Sequence, residues 1–107
     1  MLQITISGTL LENAETCVDK NGRTYTRFSV SCGSEDLNGR TQFLHFSCTC
    51  YVKGYEYLKK GDQVFLTGKF SAKLNTGNDG KTYMNLYIMV YQAAGGYKAN
   101  ERKKPND

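Results

Sequence analysis

Alternation of apolar and polar residues with a period of two runs through most of this chain, and it commits the chain to β-strands. Leu2, Ile4, Ile6 and Leu10 alternate with Gln3, Thr5, Ser7 and Thr9. A strand turns successive side chains to opposite faces, so such a segment buries one face and wets the other. Over residues 24–32, Phe28, Val30 and Cys32 share one parity while Tyr25, Arg27, Ser29 and Ser31 share the other. Over 41–50, Leu44, Phe46, Cys48 and Cys50 oppose Phe43, His45, Ser47 and Thr49. Val64, Leu66 and Phe70 mark a strand over 63–70. Over 82–92, Met84, Leu86, Ile88 and Val90 oppose Tyr83, Asn85, Tyr87, Met89 and Tyr91. Asn21-Gly22, Asn38-Gly39 and Asp79-Gly80 separate these runs. They read as hairpin turns because both residues of each pair tolerate positive φ.

One stretch breaks the rhythm. Tyr51, Tyr55 and Leu58 fall at helical spacing, followed by Lys59, Lys60 and Gly61. Cations and then glycine suit a helix C-terminus. Gly54 weakens the segment, so a helix of two turns or fewer is expected. After Gln92 the alternation stops, and the polar, basic run beyond Gly95-Gly96 reads as a disordered tail over 93–107. The expected domain is 1–92. It is all-β, with five strands and a short helix between the third and fourth. That order is the layout of an oligonucleotide/oligosaccharide-binding (OB-fold) barrel, whose closure removes exposed sheet edges.

Composition narrows the chemistry. A chain of 107 residues builds one core. No apolar run approaches the roughly 18 residues of a membrane span, and the N-terminus lacks a basic-then-apolar leader, so a cytoplasmic protein with no membrane partner is expected. Cys17, Cys32, Cys48 and Cys50 match no zinc spacing and are expected as buried, reduced thiols. His45 is the only histidine and has no nucleophile arranged beside it; Gly77–Thr82 lacks the phosphate-loop spacing. No catalytic residue, metal or cofactor is expected. The net charge of +4 permits an anionic partner without requiring one.

With the aliphatic parity assigned to the core, the opposite parity carries Tyr25, Arg27, Phe43, His45, Phe65, Lys69, Lys73, Tyr83 and Tyr87. Rings interleaved with cations on a face that packing does not require suit a single strand of nucleic acid. Unpaired bases stack on rings at about 1–3 kcal/mol each, and phosphates pair with Lys and Arg. Neither contact reads base identity, so binding is expected to be sequence-tolerant. The same rings are also what a covered sheet or a subunit contact would carry. Phe43 stands out, since a phenylalanine on the polar side of a strand needs a partner.

The run Tyr57-Leu58-Lys59-Lys60-Gly61-Asp62-Gln63-Val64-Phe65-Leu66-Thr67-Gly68-Lys69-Phe70 resembles the glycine turn and fourth strand of the bacterial and phage single-stranded-DNA-binding proteins. Ile4–Leu10, Phe28-Ser29-Val30, Gln42-Phe43 and Asp79-Gly80 with Tyr83 are similar to that family's other strands and long hairpin. The likeness covers about residues 2–92. It implies an OB-fold that protects single-stranded DNA in replication, recombination and repair, as a homotetramer or, failing that, a dimer. It places Phe43 where the family carries a base-stacking tryptophan. There are departures. Tryptophan is absent, Thr49 stands where a phenylalanine is common, and Leu74-Asn75 lacks the usual aromatic. These shift the expected stacking toward Tyr25, Tyr83 and Tyr87. The sequence ends Lys103-Lys104-Pro105-Asn106-Asp107, without the acidic tip by which cellular members recruit repair enzymes. That points to a phage, plasmid or transposon version. It also keeps open a second reading, a dimeric adaptor like primosomal replication protein N that binds single-stranded DNA and a helicase or its loader.

Overall fold

The computed structural model describes residues 1–97. Six strands follow in order: β1 (Gln3–Leu10), β2 (Glu15–Val18), β3 (Thr24–Glu35), β4 (Thr41–Cys50), β5 (Gln63–Thr76) and β6 (Thr82–Tyr97). Neighbours run β1-β5-β6-β4-β3-β2. The end of β1 returns to β3, pairing Thr9 with Ser31 and Leu10 with Val30. Five strands therefore close into the expected barrel, and β2 is added on β3 beside the closure. β4 and β6 pair in parallel, Phe46 opposite Leu86 through Cys50 opposite Val90; the other pairings are antiparallel.

Alternation fills the barrel. Leu10, Phe28, Val30, Cys32, Phe46, Cys48, Cys50, Val64, Leu66, Ile88 and Val90 are buried, with Ile4, Ile6, Phe70 and Leu86 packed against them. Full burial of such a side chain stabilises by roughly 1.5–3 kcal/mol. Two glycines permit the closure. A Cβ on Gly8 would run into the Ser31 carbonyl oxygen, and one on Gly68 into the Met89 carbonyl oxygen. Gly68 also sits at a bulge in the β5–β6 ladder.

Several expectations need correction. Leu2, Leu44 and Met84 have core parity but are exposed. The β3–β4 and β5–β6 hairpins run past the closed section as two-stranded arms, where the inner face has nothing to pack on. β5 extends to Thr76 and β6 to Tyr97. The expected tail begins inside that strand, and its residues 98–107 lie outside the described ones. Cys17 is only part-buried, on the short β2 that the sequence reading did not include.

The helix between the third and fourth core strands does not form. Residues 51–62 are bends and turns. Gly54 takes φ 105°, which no helix accommodates. Leu58 still reaches the core, 1% exposed, through a tight turn in which its N–H donates to the Tyr55 carbonyl at 3.3 Å. A second turn at Lys59–Asp62 is closed by the buried Asp62 carboxylate, which accepts the Lys59 N–H at 2.9 Å. The apolar spacing that resembled a helix is thus met by a single loop turn.

The hairpin turns are not of the type expected either. In Asp19-Lys20-Asn21-Gly22-Arg23 and Asp36-Leu37-Asn38-Gly39-Arg40 only the glycine has positive φ. Each leading Asp accepts two backbone N–H groups on Oδ1, from Asn21 and Arg23 or from Asn38 and Arg40. The carboxylate supplies what two left-handed residues would otherwise have provided. At the third tip Gly77 takes the place of the leading Asp, and Asp79 accepts the Lys81 N–H instead.

Candidate nucleic-acid interface

Strand register assembles the outward parity into rows. Arg27 on β3 stands opposite Thr49 on β4, Thr49 opposite Met89 on β6, and Met89 opposite Lys69 on β5. The next row is Ser29, Ser47, Tyr87 and Ser71. Strands lie about 4.8 Å apart, so a row spans roughly 14 Å from one cation to the other. The surface between them is hollowed at both ends. A cavity of about 190 Å³ is lined by Thr49, Lys69, Ser71, Tyr87, Ile88 and Met89. One of about 250 Å³ lies beside Arg27, Ser29 and Ser47. Hydroxyls, a ring, a thioether and two cations thus share one shallow trough.

Four more of the expected site residues spread from this trough along the two arms. Lys73 continues the β5 side opposite Asn85, and Tyr83 lies farther out opposite Asn75. His45 stands opposite Ser31, and Phe43 opposite Gly33. Phe43 is 66% exposed. Its ring lies over the glycine, 3.5 Å from where a Gly33 Cβ would sit. The Tyr83 ring covers Gly77 in the same way, and its hydroxyl donates to Asp79 Oδ2 at 2.7 Å. That bond raises the Tyr83 phenol and, with the Lys81 N–H, holds the Asp79 carboxyl below its ordinary value.

Two further residues are already engaged. Arg27 Nη2 donates to Glu15 Oε1 at 2.7 Å, a bond that raises the guanidinium pKa. Tyr25 packs at a tilt on Tyr51, ring centroids 5.3 Å apart, and the Arg23 guanidinium lies 4.2 Å over the Tyr51 ring. The Tyr51 hydroxyl donates to Asp19 Oδ2 at 2.9 Å. Asp19 is held low, first by the Arg23 N–H, while its acceptance of the phenol raises Tyr51. Tyr25 therefore belongs to a ring-and-cation cluster at the base of the β2–β3 hairpin, beside the trough.

Phe65 stands apart. It points out between Ser7 on β1 and Ala94 on β6. Around it are Thr5, Thr9, Gln63, Thr67 and Gln92, with Thr5 bonded to Thr67 at 2.8 Å and Gln63 to Thr9 at 2.9 Å. None of these carries charge. Sequence reasoning missed Thr49, Ser71, Met89, Tyr51 and Arg23 as members of the site. Parity places the first three on the outer face, but the parallel β4–β6 pairing that unites them leaves no local signal. Among the described residues no group of three His, Cys, Asp or Glu side chains is placed to hold a metal ion. No helix of the described residues is long and apolar enough to cross a membrane.

Residues 1–94 match the profile described as the Single-strand binding protein family. The chain belongs to that family. Members are DNA-binding proteins rather than enzymes, and membership carries single-stranded DNA binding to this chain in preference to the primosomal adaptor reading. Two solved structures share the fold. The small single-stranded DNA-binding protein from Streptomyces coelicolor superposes with a TM-score of 0.70 at 15% identity, covering 88% of this chain and 93% of its own. The Plasmodium falciparum SSB in complex with ssDNA gives 0.66 at 15% identity, covering 89% and 94%. No curated protein matches the chain in sequence.

Proposed function

We propose that single-stranded DNA lies across the β3–β4–β6–β5 trough and is held there without regard to sequence. The observation that carries this reading is the row in which Arg27 and Lys69 bracket Thr49 and Met89, with Tyr87 in the next row. The cations take phosphates and Tyr87 stacks a base. Phe43 and Tyr83 on the arms, with Lys73, His45 and Tyr25, extend the track beyond the barrel. Such binding protects unwound DNA in replication, recombination and repair. It takes place in the cytoplasm, with no cofactor.

The uncharged flank around Phe65 serves a different purpose in this reading. Interface cores are depleted of charge and enriched in aromatics. Phe65, 59% exposed among Ser, Thr, Gln and Ala, fits a contact between copies of the chain, most simply within a homotetramer.

Tyrosine fluorescence tests the binding, since the chain has eight tyrosines and no tryptophan. Titration with long oligothymidine should quench it. If about five phosphates are neutralised, log affinity falls with log salt at a slope of roughly −3 to −4. Absence of both quenching and salt dependence would sink the proposal.

A further inference from the structure

The cavity at the Arg27 end of the trough has the wrong charge to take a phosphate inside it, while the exposed Arg27 guanidinium at its rim stays open to one. Glu12 and Glu15 face a single guanidinium there. Its lining has the right chemistry for the edge of a base. Asn13 Oδ1 accepts the Lys60 N–H at 2.9 Å, which fixes the amide and leaves its NH2 as the end still able to donate. Glu15 is anchored through Oε1 by Arg27, and Glu12 has no hydrogen bond or ion pair among the described residues. Carboxylate acceptors therefore sit beside an amide donor and the hydroxyl-bearing Ser29 and Ser47, which stand opposite each other across β3 and β4. At about 250 Å³ the cavity falls below the roughly 300–1,000 Å³ of sites for drug-sized ligands, a size for one base rather than a larger molecule.

A base that satisfies such a lining must present two adjacent donors next to an acceptor. Guanine alone does, with N1–H and the 2-amino group beside O6. Adenine, cytosine and thymine each show one donor on that edge. We propose that this cavity is a guanine-reading pocket, with Glu12 as the accepting carboxylate, Asn13 as the donor, and Arg27 and Glu15 as its wall. It places one preferred base within an otherwise sequence-tolerant track. The inference rests on single-stranded DNA lying in the trough.

Fluorescence anisotropy with a labelled oligothymidine of about twelve nucleotides, within the site sizes of single OB-folds, tests it. Replacing one central thymidine by deoxyguanosine should tighten binding about tenfold, the scale of one well-made carboxylate–base pair. Deoxyadenosine and deoxycytidine should change it by less than about twofold, within the span that stacking alone tolerates. Deoxyinosine, which lacks only the 2-amino group, should fall back to the thymidine value. Glu12→Ala, at an exposed loop position, should abolish the guanosine advantage. The pocket is refuted if guanosine binds no better than thymidine, or if inosine matches guanosine and Glu12→Ala keeps the advantage. In either case oligothymidine binding itself survives. Failure of plain oligothymidine to bind at low salt overturns both this pocket and the reading beneath it.

Discussion

Arg27 is the cation at one end of the central row, and it already has an anion. Its pair with Glu15 is open to solvent, 59% and 60% exposed, so water and salt screen it and a phosphate can compete for the guanidinium. Glu15 in effect subtracts a charge from the DNA track. Glu15→Gln should raise affinity for oligothymidine at low salt and steepen the log–log salt slope by about 0.7, the increment for one more neutralised phosphate on a single strand. Parallel slopes for the two proteins would show that Arg27 does not meet the backbone. Phe43 also has two roles. It covers Gly33 from the outside, and it offers a free ring face. Phe43→Leu keeps the cover and removes the face. It should therefore weaken binding by about 1–3 kcal/mol while leaving the melting temperature near that of the parent. An unchanged dissociation constant would move the stacking platform to Tyr87. Parity alone made Phe43, Tyr87, Lys69 and Arg27 legible in the sequence. That Arg27 shares a row with Lys69 was not legible, because the parallel β4–β6 ladder, between strands far apart in sequence, joins the two hairpins that carry them.

At the scale of elements, alternation revealed the five barrel strands because each has one buried face, and a strand with one buried face leaves a period-two trace. It could not show where burial ends. Leu74 and Met84 face each other with core parity on the β5–β6 arm, yet are 64% and 62% exposed. β2 escaped notice because four edge residues, none of them buried, carry no such trace. Residues 51–62 misled for the opposite reason. Tyr55 and Leu58 both pack on the core, and a single turn three residues apart mimics the first step of a helix. The glycines give the sharpest test of how the elements fit. At Gly68 a methyl group would strike the Met89 carbonyl and approach Ile88 Cγ2 at 2.7 Å. Backbone cannot rotate away as a side-chain tip can. Gly68→Ala should therefore cost about 1–3 kcal/mol or more, as overpacking does, and lower the urea midpoint. Gly77→Ala, which meets the edge of the Tyr83 ring at 3.0 Å on an exposed tip, should cost less. Equal losses would mean that the bulge at Thr67 and Gly68 has room to relax.

The molecule as a whole is closed around thiols, and this sets its response to alkali. Burial pushes Cys48 up to about 12 from an ordinary 9.0, and Cys32 and Cys50 rise for the same reason. Below pH 9 a buried thiol is protonated in both the folded and unfolded chain, so its contribution is intact. Between pH 9 and about 12 the unfolded chain gives up the Cys48 proton while the folded one keeps it. Stability then falls with rising pH by about 1.4 kcal/mol per unit for one such group. Tyr51 and Tyr83 are also raised, but they lie at exposed turns and their carboxylate partners are open to water. Urea midpoints measured between pH 8 and 11 should therefore decline, and Cys48→Ala, though less stable at pH 8, should decline less steeply. The same burial makes the thiol inert, because the thiolate is the reactive form. An alkylating reagent at neutral pH should modify the part-buried Cys17 well before Cys48, which it reaches only on global unfolding. A Cys48→Ala variant that loses stability with pH as fast as its parent would show that the barrel opens in alkali through some other group. Early labelling of Cys48 would show that its strand opens without the rest of the barrel.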